Sequence, residues 1–137
     1  MRYLHIANAR VINPQTQTDE ITDVFVADGR IATLGRRPDA GEIEHTIDAT
    51  GQWLMPGLID LGGHIPEPGY NQKGSIASET EAAARGGFTH ICSLPDTKPV
   101  ADTSAVVKLI LEKASKAGFS RVLPLGAMTQ DLAGEQL

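Results

Sequence analysis

The chain has little with which to build a covalent or metal framework of its own. There is one cysteine, Cys92, among 137 residues, so no disulfide can form within the chain and no Cys-rich zinc knuckle is available. Cys92 sits in the apolar run FTHICSL, where an inert core thiol is expected rather than a nucleophile. Positive charge is scarce too. The net charge is -5 and the pI about 5.3, and no basic block is present to neutralise phosphates, which argues against nucleic acid and acidic membrane surfaces as partners. The pair Arg36-Arg37 lies beside Asp39 and reads as a solvated turn. No charged segment precedes an apolar one at the start, as a secretory signal requires. No apolar run approaches the length of a membrane span. What remains is a composition of 41% apolar and 21% charged residues, which is globular rather than disordered. A soluble cytoplasmic protein of one modest domain's length is expected.

The residues that are present fall into two textures. Up to about residue 55 the chain reads as short strands. In DVFVADGRIATLG, Val24 and Val26 alternate with Phe25 and Ala27, Asp28-Gly29 is a two-residue hairpin turn, and Arg30 to Leu34 returns. YLHIANARVI and HTIDATGQWLM supply further strands. Residues 1-55 are therefore expected to form a small all-β unit.

From Pro56 the pattern changes to strand and helix in alternation. LID is a short apolar strand, followed by a Gly- and Pro-rich loop from His64 to Gly74. SIASETEAAARGG predicts a helix with Ser78 and Glu81 as a capping box and Gly86-Gly87 as its stop. FTHICSL is the next strand. DTSAVVKLILEKASKAG predicts an amphipathic helix capped by Asp102 or Thr103, with Val106, Val107, Ile110 and Leu111 on one face. RVLPLGAM is a third strand, and AGEQL at 133–137 predicts the start of another helix. Units of roughly thirty residues in this order are right-handed parallel βαβ crossovers. Three strands do not close a barrel, which needs about eight. Residues 56-137 are thus expected to be part of something larger, or to need a partner along an open sheet edge. A small open three-layer α/β domain is the alternative.

The stretch LMPGLIDLGGHIPEPG, Leu54 to Gly69, has the form of a strand that delivers side chains to a site. With GSIASETEAAARGGFTHICSLPDTKPVADT, VLPLGAMTQDLAGEQL and the leading DVFVADGRIATLG and IDATGQWLMPG, it resembles the dihydroorotase branch of the amidohydrolase superfamily. The likeness spans essentially the whole chain. It implies a (β/α)8 TIM-type barrel preceded by part of a small β-sandwich assembled from both chain ends. It further implies one or two zinc ions at the C-terminal ends of the strands, and hydrolysis or formation of a cyclic amide such as dihydroorotate by a metal-bound hydroxide.

Measured against that resemblance, this chain departs at three positions. The family's first barrel strand ends in Asp-x-His-x-His-x-Arg, and the matching residues here are Asp60, Gly62, His64 and Pro66. A metal-binding histidine is thus replaced by Gly62, which has no donor. The arginine that would grip a substrate carboxylate is replaced by Pro66, which has no cation. The asparagine of a Pro-Asn-Thr motif is replaced by Asp96, which repels an anionic substrate.

The surviving candidates each have a plainer reading. His64 is either a remaining zinc ligand or a loop histidine that hydrogen bonds at the barrel mouth; a lone imidazole holds zinc poorly. Asp60 either orients a neighbouring group or accepts backbone N–H groups in the turn after it. Asp96 is either a ligand of a remodelled site or a turn former ahead of Pro99. Glu67-Pro68-Gly69 reads as a rigid turn and Lys73 as a solvated lysine. His5, His45 and His90 lack metal-ligand spacing.

Three functional expectations follow. The first is a catalytically impaired homologue that acts as a structural or regulatory partner of aspartate transcarbamoylase, a partner implied by the resemblance alone, with zinc absent or weakly bound. The second is an active cyclic amidohydrolase that uses His64, Asp96 and later residues. The third is a free-standing α/β binding module.

Overall fold

The computed structural model describes residues 1–136, which divide into a first compact unit, Met1–Pro56, and a second that begins at Gly57.

The first unit is a single sheet. Its strands are β1 (Arg2–Asn13), β2 (Thr18–Ala27), β3 (Arg30–Leu34), β4 (Glu42–Asp48) and β5 (Trp53–Leu54). The order is β3-β2-β1-β4, with β5 also pairing β1. β1 runs antiparallel to β2 and parallel to β4 and β5. Asp28 and Gly29 both have positive φ, 50° and 71°, the conformation of the tight turn that matches strand twist in a two-residue hairpin. Between Ile6 and Ala9 the β1–β2 register slips. Asn8 there is left-handed, with φ 59°, and its N–H is taken by the Asp23 carboxylate at 3.0 Å. Ala9, Val11, Val24 and Ala49 form one buried cluster, and Tyr3, Phe25 and Ala27 another. His5 stacks on Phe25 with ring centroids 4.5 Å apart and bonds Asp23 at 3.0 Å. Arg36 binds both Asp39 oxygens at 2.8 Å on an exposed turn.

The second unit carries a parallel sheet, β6 (Leu58–Gly63), β7 (Phe88–Ser93) and β8 (Arg121–Pro124), in the order β6-β7-β8. Helix α1 (Ile76–Arg85) links β6 to β7, α2 (Ser104–Ala117) links β7 to β8, and a 3-10 turn, Gln130–Leu132, follows. This is strand-helix-strand twice over, the opening of a (β/α)8 barrel that these three strands do not close.

The helices begin where polar side chains take up their free N–H groups. The cap of α1 is Ser75, not the Ser78–Glu81 pair expected from the sequence. Ser75 accepts the Ser78 N–H, and the Ser78 hydroxyl reciprocates on the Ser75 N–H at 2.9 Å. A serine thus does the work of the glutamate usual at that position. Thr103 caps α2, and Gly118 ends it in a left-handed turn. The buried stripe of α2 is Val106, Ile110 and Ala114, while Leu111 is 43% exposed. Residues spaced by four stand in line on a helix, so the stripe runs i, i+4, i+8 and leaves Leu111 to one side. With Ile65, Ile76, Ile91, Ala101 and Val122 these residues make the core of the unit. The expected helix at 133–137 does not form over 133–136, where the chain bends after the 3-10 turn; Leu137 lies outside the described residues.

Among the described residues, the opposite face of this sheet is largely exposed. Ile91 and Val122 are paired in register and point toward the helices, so Ile59 and Leu61 of β6 and Leu123 of β8 point away. These three are 56%, 78% and 44% exposed. Cys92, paired with Leu123, is half-buried on this face rather than in the core.

Candidate functional site

The residues singled out in the sequence gather at the C-terminal ends of β6 and β7. Asp60 pairs in register with Ile91 and Gly63 with Ser93, so β6 slips by one residue between them. The slip is accompanied by a local bond: Asp60 Oδ1 accepts the Gly62 N–H at 3.0 Å. Accepting a backbone N–H in the turn after it is one of the two roles read for Asp60, and it makes that bond.

The adjacent glycines have different surroundings. A Cβ at Gly63 would lie 2.3 Å from Ile91 Cγ2 and 3.1 Å from an Asp60 oxygen, a clash that makes glycine necessary there. A Cβ at Gly62 would meet no atom within 4 Å. Among the described residues, packing does not require the absence of a side chain at 62. Pro66 is the reverse case. It is buried, and its carbonyl accepts the Tyr70 N–H at 2.9 Å, so it shapes the loop.

His64 and Asp96 come together from two loops. His64 Nδ1 lies 3.4 Å from Asp96 Oδ2, with 64% and 44% of the two side chains exposed. Asp96 thus faces His64 in addition to standing in the turn before Pro99. Lys73, for its part, rests over the Tyr70 ring at 5.3 Å. His90 bonds Thr89 at 3.0 Å, and His45 is exposed on β4.

Among the described residues no group of three or more His, Cys, Asp or Glu is arranged to hold a metal ion. A catalytic zinc takes about three protein ligands. Here the mouth offers one imidazole and one carboxylate already facing each other, with Gly62 contributing nothing. Among the described residues these donors are fewer than a catalytic zinc takes.

One charged residue at the mouth escaped the sequence reading. Glu67, read as part of a rigid turn, is only 8% exposed. Its carboxylate accepts the Ile76 N–H at 2.8 Å and pairs with Lys113 of α2. Burial pushes the Glu67 carboxyl upward, but the Lys113 ammonium and the Ile76 N–H outweigh it and hold it below the usual carboxylate range. No spacing rule links positions 67 and 113, so this contact had no local signal.

Two cavities flank the sheet. One of about 260 Å³ lies between β6 and α1, lined by Asp60, His64, Glu79 and Phe88 among others. A larger one, about 540 Å³, lies at the other end of the strands, between the end of α2 and the starts of β7 and β8. Size alone would favour the second, but Asp60 and His64 line the first.

Residues 51–137 match the family model described as Dihydro-orotase-like. The chain belongs to the dihydroorotase-like family. Its relatives include a dihydroorotase-like protein of Pseudomonas putida, 49% identical over 98% of this chain and 32% of that protein. A dihydroorotase of Solibacter usitatus is 45% identical over 96% of this chain and 30% of that protein. This dihydroorotase-like chain thus spans about a third of the length of the curated relatives it matches. Among solved structures, the L-hydantoinase (dihydropyrimidinase) of Arthrobacter aurescens superposes with a TM-score of 0.79 at 26% identity, over 94% of this chain and 28% of that one.

Proposed function

We propose that this chain belongs to a cytoplasmic dihydroorotase-like protein of pyrimidine biosynthesis whose catalytic site is impaired. It serves as a structural or regulatory partner of aspartate transcarbamoylase. The observation that carries this reading is the open space around Gly62. The fold has room for a ligand side chain where the resemblance puts a metal-binding histidine, and the sequence does not supply one. Pro66 and Asp96 add the loss of a carboxylate-binding cation and the gain of a negative charge in the same mouth. The partner rests on the resemblance alone.

The test is metal content and turnover of the full-length protein. No stoichiometric zinc and no dihydroorotate hydrolysis, with or without added zinc, would support an impaired site. Metal-dependent hydrolysis abolished by a chelator would overturn it. For the partnership, comigration with aspartate transcarbamoylase in size-exclusion chromatography is expected; separate elution at micromolar concentrations would count against it.

One observation favours a second reading, an active zinc-dependent cyclic amidohydrolase with a remodelled metal site. His64 and Asp96 stand 3.4 Å apart, close enough to act as two donors to one ion if further ligands join them. In that case zinc would be near stoichiometric in the purified protein, and His64→Ala or Asp96→Asn would lower its occupancy.

A further inference from the structure

We propose that Glu67 is the positioning residue of the barrel mouth. By holding α2 and the first turn of α1 at once, it fixes the loop of residues 64–75 and, through that loop, residues 94–99, so that His64 faces Asp96.

The carboxylate is engaged on three sides. It accepts the Ile76 N–H at 2.8 Å, pairs with Lys113, and lies 3.5 Å from the Asn71 amide nitrogen. Ile76 opens α1 and Lys113 lies well along α2, so one side chain ties the loop to both helices of the unit. The next residue carries the connection onward. The Pro68 carbonyl accepts the Lys98 N–H at 2.9 Å. Gly69, with φ at +108°, lets the two backbones touch: a Cβ there would lie 2.3 Å from the Lys98 carbonyl oxygen. At the base of the loops the Leu94 N–H bonds the Gly63 carbonyl at 3.1 Å. Asp96 thus lies between two backbone bonds to the loop that carries His64.

The choice of a charged pair also points to geometry. A half-buried ion pair contributes little net stability, because the Glu67 carboxylate gives up most of its water while the Lys113 side chain, 40% exposed, keeps part of its own. What it adds is direction: a carboxylate with a fixed ammonium and a fixed N–H has one satisfactory placement, and an apolar contact has many. This concerns the loops rather than the chemistry, and it holds under either functional reading above.

Hydrogen–deuterium exchange on the full-length protein tests it, comparing wild type with Glu67→Ala and with the double variant Glu67→Gln/Lys113→Met. The segment 94–99 is the readout, because the Glu67 carboxylate bonds to residues 71, 76 and 113 instead. In Glu67→Ala, amides in 94–99 should exchange about tenfold faster or more while those in the body of α2 keep their protection. A role limited to capping α1 would speed exchange near residue 76 only, and unchanged protection over 94–99 in folded Glu67→Ala would overturn the proposal. If Glu67→Ala does not fold, the double variant decides, since it removes the charges without stranding either. Loosening of 94–99 there supports the proposal, and wild-type protection refutes it.

Discussion

A side chain at position 62 would project into open space, whereas one at position 63 would press into Ile91. The sequence shows both as the same letter, and only their surroundings separate them. Gly62→His should therefore leave the urea midpoint of unfolding almost unchanged, within about 0.5 kcal/mol, as for a surface substitution. Gly63→Ala should cost about 1–3 kcal/mol through overpacking against Ile91. Equal losses at the two sites would show that the room at 62 does not exist in solution. Asp23 gives a second expectation at this scale. The Asn8 N–H first, and then His5, hold its carboxyl below the usual range against a small opposing effect of burial. A carboxyl lowered by folding contributes stability that is fully present above its unfolded pKa of about 4 and is lost as pH falls through the folded value. As pH falls below about 5, then, Asp23→Asn should flatten the acid dependence of unfolding, and the two proteins should converge once Asp23 is protonated in the folded state. A wild-type pH slope in the variant would remove Asp23 from the account.

At the scale of elements, the sequence was most readable where structure is local. The Asp28-Gly29 turn needs only two positive φ angles, and the Thr103 and Gly118 ends of α2 depend on residues within a turn of the helix. α1 starts earlier than the glutamate pattern predicts, because a serine at the third helical position can reciprocate a cap as glutamate does. The general pattern names glutamate, and so it points to Ser78 and Glu81, three residues late. Leu111 lies outside the buried face of α2, because the apolar run is wider than the buried stripe. What was not readable is all long-range: the Glu67–Lys113 pair spans two elements, and the approach of His64 to Asp96 depends on how β6 and β7 pair. Two substitutions follow from the observed contacts. Ser75→Ala should cost about 1 kcal/mol by freeing the Ser78 N–H. Ile110→Ala, at 1% exposure, should cost about 2–5 kcal/mol, whereas Leu111→Ala should cost well under half of that. Both are read from urea unfolding with a constant m-value, and comparable losses at 110 and 111 would contradict the observed stripe.

At the scale of the whole chain, the decisive feature is the uncovered face of the second unit. Parallel strands are found with both faces covered, because their side chains are apolar on both. Here the helices cover one face, and Ile59, Leu61 and Leu123 stand on the other at 40% exposure or more. β6 and β8 are also the outer strands of their sheet, each with an edge unpaired among the described residues. An apolar face bounded by two free edges favours association in water. The 137-residue chain by itself should therefore self-associate or bind a hydrophobic dye, and Leu61→Lys together with Leu123→Lys should suppress both by placing charges on that face. Analytical ultracentrifugation across a concentration series checks it. A cooperative monomer with no dye binding would mean that the face is stable without cover, and the third functional expectation, a free-standing α/β module, would then be the better account of the second unit. Association abolished by the two lysines would instead locate the missing cover on the side of the sheet where a barrel keeps its interior.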